Sequence, residues 1–207
     1  MLDLSTEKGI FELGYQLVAG VDEAGRGPLA GPVVAACVII GPDFEIDSDE
    51  LKLVADSKKL SAKNREKLFS VIKDKALAVE ISVVSHTVID KINILQASLM
   101  AMRKSIEACQ IQPDFVLVDG NIKIPLLKTK QQAIISGDAK VFCIAAASII
   151  AKVSRDFLMC EEDKKYPQYQ FAKHKGYGTK LHLEMLSCYG PCPIHRQSFA
   201  PVKNLLK

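Results

Sequence analysis

Apolar positions along the chain follow two rhythms. One is the short unbroken run: residues 17–21 and 33–40 are almost free of polar side chains, the pattern of strands buried on both faces. They predict strands at about 16–22 and 32–40. A third run, 115–118, follows Pro113 and ends in Asp119-Gly120. Residues 78–85 alternate and are rich in Val and Ile, and a last strand is expected at about 133–136, closed by Gly137-Asp138. The other rhythm is helical. Ser61 is an N-cap for a helix to about residue 75, with Leu68, Phe69 and Ile72 at helical spacing. Thr87 caps a longer helix with an apolar stripe of Ile94, Leu95, Leu99, Met102 and Ile106, which Pro113 breaks. Residues 145–164 form a helix that is rich in small residues on entry and charged on exit, and Pro167 ends it. Residues 181–187 predict a last short helix. The segment before residue 16 reads as a lead-in, 41–52 as an acidic loop, 56–59 as a polar turn and 173–179 as a basic loop.

No repeat, linker or low-complexity stretch interrupts this order. The expected architecture is one α/β domain, a mixed β-sheet flanked by helices with a small helical C-terminal portion. The 207 residues, 48% of them hydrophobic, suffice for a substantial core. No uncharged apolar run approaches the roughly 18 residues of a membrane helix. The first fifteen residues carry acids and lack a basic-then-apolar order, so no signal peptide and a cytoplasmic location are expected.

Six scattered cysteines read as buried free thiols. Cys188 and Cys192, with His182 and His195 near them, are a zinc candidate with loose spacing. Net charge is only +3, so bulk charge does not announce a nucleic-acid binder. Local clusters are more telling: Lys58 and Lys59, then Lys173, His174, Lys175 and Lys180, fall beside glycines and loop residues, where they suit phosphates or a solvated surface.

The candidate chemistry centres on AGVDEAGRGPLAGP, residues 19–32. Gly25, Gly27 and Gly31 permit close backbone approach, and Pro28 and Pro32 stop one strand from running into the next. The spacing is not that of a dinucleotide loop, since acids precede it and no helix follows; an acidic hairpin turn is the plainer alternative. Three strands end in acids: Asp22 with Glu23, Asp119 and Asp138. Neighbouring strand ends in an α/β sheet bring distant residues into one cleft. Four carboxylates there repel one another, and two divalent cations, Mg2+ or Mn2+, would relieve this and serve phosphodiester hydrolysis. Because successive strand residues face opposite ways, joint use of Asp22 and Glu23 requires the strand to end or kink at Glu23. Asp156 competes with Asp138 as the fourth acid, although Arg155-Asp156 lies inside a helix, where a local ion pair also accounts for it.

The stretch closely resembles the opening signature of the ribonuclease HII family. Further matches follow in order: DSKKL (56–60), FVLVDG (115–120), SGDAK (136–140), AAASIIAKVSRD (145–156), HKGYGT (174–179) and PIHRQSF (193–199). The resemblance implies a ribonuclease H-like fold over residues 1–207, with its core at about 16–165 and substrate-contacting helices and loops at about 166–207. It implies that Asp22, Glu23, Asp119 and Asp138 are catalytic and bind Mn2+ or Mg2+. It also implies that the backbone of Gly25, Arg26 and Gly27 contacts a ribose 2′-hydroxyl, that Tyr177 stacks on the neighbouring deoxyribose, and that Lys58, Lys175 and Ser148 hold phosphates. The expected enzyme is a monomeric endonuclease acting on RNA/DNA hybrids and on duplex DNA containing ribonucleotides. Little chain follows PIHRQSFAPV, so a short C-terminal grip and modest hybrid affinity are expected.

Overall fold

The computed structural model describes residues 2–54 and 61–206; the expected polar turn at 56–59, with Lys58, lies outside them. The elements in chain order are α1 (Ser5–Glu12), β1 (Val18–Ala24), β2 (Val33–Ile40), α2 (Asp49–Lys52), α3 (Ala62–Lys75), β3 (Ala78–Val84), α4 (His86–Ile92), α5 (Ile94–Glu107), β4 (Phe115–Asp119), β5 (Lys130–Ile134), α6 (Phe142–Lys165), α7 (Phe171–His174), α8 (Lys180–Tyr189) and α9 (Ala200–Leu205). The five strands form one mixed sheet in the order β3-β2-β1-β4-β5. β1 runs antiparallel to β2 and parallel to β4, which is in turn parallel to β5.

The unbroken apolar runs occupy the middle of that sheet, as their two buried faces require. Val18, Ala36, Val38 and Leu117 face α6 on one side. Ala19, Val21, Val116 and Val118 pack on the other side, with Leu99, Met102 and Ile106 of α5. α6 lies unusually close to β1: a Cβ on Gly20 would stand 2.1 Å from the carbonyl carbon of Cys143. The start of α6 receives no cap from Val141. Glu7, fully buried on α1, reaches across to accept the Cys143 N–H at 2.9 Å. The lead-in segment thus fixes the helix that packs on the central strand.

Several boundaries differ from expectation for local reasons. The longer helix expected behind Thr87 is two helices. Ser85 caps α4, while Asn93 at φ 66° breaks the path and caps α5 through its side chain. α6 begins at Phe142, and β5 spans Lys130–Ile134 rather than 133–136. Within the expected acidic loop, Ser48 caps the one-turn α2, and Lys173 and His174 belong to α7 rather than to a loop. β1 runs on through Glu23 and Ala24, which pair with Ala35 and Val34, so the strand does not end at Glu23. Among the described residues no helix is long and apolar enough to cross a membrane.

The C-terminal portion docks on the turn between β1 and β2. Leu29 donates to the Gly176 carbonyl, Gly31 to that of Ile194, and Arg196 to that of Leu29, at 2.8–2.9 Å. The basic loop, the turn after the glycines and the HRQSF segment are thereby layered against one another.

Candidate active site

β1 and β4 place the acids. They are parallel, with Val21 opposite Val118, so the next residues, Asp22 and Asp119, stand side by side on adjacent strands, on the face that packs against α6. The close approach allowed by Gly20 brings Ser148 of α6 beside Asp22, where its hydroxyl favours the ionised carboxylate. Burial, and then the neighbouring Glu23 and Asp119 charges, push Asp22 well above the ordinary carboxylate range, against the pull of Ser148. Glu23 is raised as well, by burial and by Asp119, and Arg26 offsets part of this through a 3.1 Å ion pair. Asp119 Oδ1 accepts the Gly137 N–H at 2.7 Å and lies 3.4 Å from the N–H of Asp138. Asp138 sits on the 3-10 turn Gly137–Ala139, entered through Ser136 in the left-handed region. Three of the four acids thus interact directly, and the turn carrying the fourth is tied to Asp119.

The donor set is all carboxylate oxygen, which suits a hard divalent cation. Burial, with crowding added to it, raises Asp22 and Glu23, and that is the electrostatic demand such an ion would meet. Among the described residues no three His, Cys, Asp or Glu side chains are drawn together at metal-holding distance. The carboxylates are gathered but not closed on one point, as mutually repelling anions are. The same holds for the zinc candidate: Cys188 is exposed, and His182 and His195 spend their Nε2 atoms on each other at 3.0 Å.

A groove of about 460 Å3 opens beside the acids, lined by Glu23, Gly25, Arg26, Gly27, Arg65, Ser148, Lys152 and Tyr177 among others. Tyr177 stands at its rim, 40% exposed. A Cβ on Gly27 would lie 3.8 Å from the ring of Tyr177, so the glycine loop and the tyrosine face each other. Lys152 Nζ stands 5.7 Å from the ring centroid, and its ion pair with Asp156 holds it there at 2.7 Å.

The structure therefore brings Asp22, Glu23, Asp119, Gly25, Arg26, Gly27, Ser148 and Tyr177 together, with Asp138 on the adjoining turn. Lys175 is not in the groove wall. It sits at φ 52°, and its Nζ donates to Cys160 Sγ and the Ala172 carbonyl. Among the described residues, the cations that line the groove are Arg26, Arg65 and Lys152; Lys152 stands one turn beyond Ser148 on α6, a signal that helical spacing offered. The local helical ion pair expected of Asp156 is formed with Lys152, one turn before it, while Arg155 is buried and donates to backbone carbonyls.

With the site in view, the comparisons give one answer. The ribonuclease HII family profile matches residues 19–202. The chain is 52% identical over 202 residues to ribonuclease HII of Endomicrobium trichonymphae, covering 98% of this chain and 94% of that protein. It is 54% identical over 207 residues to that of Acholeplasma laidlawii, covering 99% and 98%. Its fold is similar to the crystal structure of ribonuclease H2 from Pyrococcus horikoshii OT3, with a TM-score of 0.75 and 29% identity over 91% of this chain and 96% of that one. On these grounds the chain belongs to the ribonuclease HII family, whose members are endoribonuclease hydrolases.

Proposed function

We propose that this ribonuclease H endonuclease hydrolyses the RNA strand of RNA/DNA hybrids and incises duplex DNA on the 5′ side of a single embedded ribonucleotide. The products carry 3′-hydroxyl and 5′-phosphate ends. The observation that carries the reading is a juxtaposition. Three mutually repelling acids, Asp22, Glu23 and Asp119, stand together, and one of them, Glu23, lines a groove where the Gly25–Gly27 loop and Tyr177 meet.

Each side chain has a task in this scheme. Asp22, Glu23, Asp119 and Asp138 are the residues that would hold divalent ions. Two such ions, Mg2+ or Mn2+, supply activation of the attacking water and stabilisation of the leaving 3′ oxygen. Ser148 orients Asp22, and Arg26 balances Glu23 until substrate arrives. The glycine loop offers backbone to the 2′-hydroxyl, the one group that separates RNA from DNA at a given site. The Tyr177 ring offers a stacking face to the next sugar. Arg65 and Lys152 add positive charge where phosphates would run. Such an enzyme would act in ribonucleotide removal and primer clearance in the cytoplasm, as a monomer.

The test is a labelled DNA duplex carrying one ribonucleotide, incubated with Mg2+, Mn2+ or EDTA. Metal-dependent incision 5′ to the ribonucleotide, abolished by Asp119→Asn and reduced by Tyr177→Ala, is the expected result. An intact duplex in both metals would refute the junction claim, and a long RNA/DNA hybrid run in parallel separates a hybrid-only nuclease.

A further inference from the structure

Two arginines behind the groove are conspicuous for what they touch. Arg155 and Arg196 are 1% and 0% exposed, and among the described residues neither makes an ion pair. A buried guanidinium without a carboxylate is costly unless its donors are all met. Here every guanidinium nitrogen donates to at least one backbone carbonyl. Arg155 donates through Nε to Pro32, through Nη1 to Lys175 and through Nη2 to Ala30, at 2.9–3.1 Å. Arg196 donates through Nε to Gly31 at 3.0 Å, through Nη1 to Arg26 at 2.9 Å, and through Nη2 to Gly25 at 2.6 Å and Pro32 at 3.1 Å. The backbone after Arg196 is pinned in turn, because Asp90 accepts the Gln197 and Ser198 N–H groups at 3.0 and 2.9 Å.

The Arg196 contacts fix more than loop position. A peptide unit is planar and trans, so its C=O and N–H point in opposite directions. With the Gly25 and Arg26 carbonyls turned inward onto Arg196, the N–H groups of Arg26 and Gly27 are turned outward, toward the groove that these residues line. Among the described residues neither N–H has a protein acceptor. A charged donor on each carbonyl also polarises its peptide unit and strengthens the opposite N–H as a donor. Gly25 is compelled by the same packing: its φ is +102°, and a Cβ there would stand 2.2 Å from Arg155 Nε.

We infer that Arg196 is a positioning residue for ribonucleotide recognition, aiming the Arg26 and Gly27 amides at the sugar 2′-oxygen by holding the carbonyls behind them, with Arg155 tying the same turn to the Tyr177 loop. This rests on the proposed reading of the 2′-hydroxyl by the glycine loop. A lysine at 196 keeps the charge but cannot span these carbonyls with a rigid fork.

The test pairs an enzyme change with a substrate change. Wild type and Arg196→Lys are compared on the duplex with one ribonucleotide and on the same duplex with a 2′-fluoro sugar, a poor acceptor, at that position. The expected result is that kcat/KM on the ribonucleotide falls about 30-fold in the variant while the residual rate on the fluoro sugar changes less than about threefold. Equal losses on both substrates would overturn the inference, since a merely structural role lowers both alike. A wild type that does not distinguish the two duplexes would sink the 2′-hydroxyl reading itself, whatever the variant does.

Amide hydrogen exchange in the Asp119→Asn protein keeps the question decidable if Arg196→Lys does not fold. The Arg26 and Gly27 amides should be protected about tenfold or more by the ribonucleotide duplex relative to its all-DNA counterpart. No added protection would overturn the inference.

Discussion

Asp119 Oδ1 accepts the N–H of Gly137 at 2.7 Å, so the acid that ends β4 also anchors the turn that carries Asp138. The two roles separate by substitution. Asn at 119 retains an oxygen for the Gly137 N–H and removes the charge, whereas Ala removes both. Asp119→Asn is expected to lower kcat on a ribonucleotide-containing duplex by about 10³-fold or more while shifting stability by less than about 1 kcal/mol. Asp119→Ala should lose as much activity and additionally about 1–2 kcal/mol of stability, from the orphaned N–H. Incision assays and thermal unfolding read the two separately, and near wild-type turnover in Asp119→Asn would remove this residue from the chemistry.

Asp138 and Asp156 can be ranked in the same assay. Asp138 stands on the turn bonded to Asp119, while Asp156 is spent on Lys152 at 2.7 Å along α6. Asp138→Asn is expected to cost about 10²-fold or more in kcat, and Asp156→Asn less than about fivefold, the latter by loosening Lys152. The reverse ranking would make Asp156 the fourth acid.

Tyr177 lies with Lys152 Nζ 5.7 Å from its ring centroid and Gly27 at its edge. If the ring serves as a stacking face, its loss should cost the roughly 1–3 kcal/mol typical of one stacked unit, about 5- to 150-fold in kcat/KM. Tyr177→Phe should stay within about threefold, because the face is kept. A Phe variant as poor as Tyr177→Ala would assign the role to the hydroxyl instead.

What the sequence disclosed, and what it hid, follows from how each residue is used. Asp22 and Asp119 were legible because each terminates an apolar run buried on both faces, where a carboxylate has no structural reason to stand. The breaks at Asn93 and before Phe142 were not, since the apolar stripe runs on past a single residue at positive φ, and α6 takes its cap from Glu7, which is 136 residues away. Arg155 and Arg196 look like surface charges in sequence. Their partners are carbonyls of a remote turn, and a carbonyl has no letter in the sequence. Lys175 was expected on a phosphate because it lies among basic residues and glycines. Its left-handed backbone at φ 52° instead points Nζ back at Cys160 and Ala172.

Gly20 offers a prediction about how the acids are supported. A Cβ there would meet the Cys143 backbone at 2.1 Å, and helix backbone cannot swing aside as a long side chain can. Gly20→Ala must therefore push α6 away from β1, taking Ser148 from Asp22. A loss of about 3 kcal/mol or more is expected, a fall of roughly 6–12 °C in Tm for a chain of this size, with lower activity in the fraction still folded. An unchanged Tm would mean that the two backbones are not in close contact.

The histidines of the C-terminal portion make a pH prediction whose sign can be worked out. The N–H of Cys192 donates to His195 Nδ1 at 2.9 Å, so the ring proton of His195 sits on Nε2 and points at His182 Nε2, 3.0 Å away. His182 is then left to donate from Nδ1 to the Tyr177 carbonyl at 2.9 Å. Both rings are neutral in this chain of bonds, and an added proton would set N–H against N–H. Burial and the neighbouring rings push each from 6.5 down to about 4. As pH falls from 6.5 toward 4 the unfolded chain takes up protons that the folded protein refuses, so stability is full above that window and declines through it. A loss of about 2–4 kcal/mol is expected for the coupled pair. Comparing Tm from pH 8 to pH 4 in wild type and His182→Gln isolates this from the carboxylates, which titrate in both. The difference in Tm should shrink as pH drops below 6.5, because the variant has already lost the bond that protonation breaks. Parallel profiles would show that the pair does not titrate with folding, and the Tyr177 loop would then owe its acid stability to other contacts.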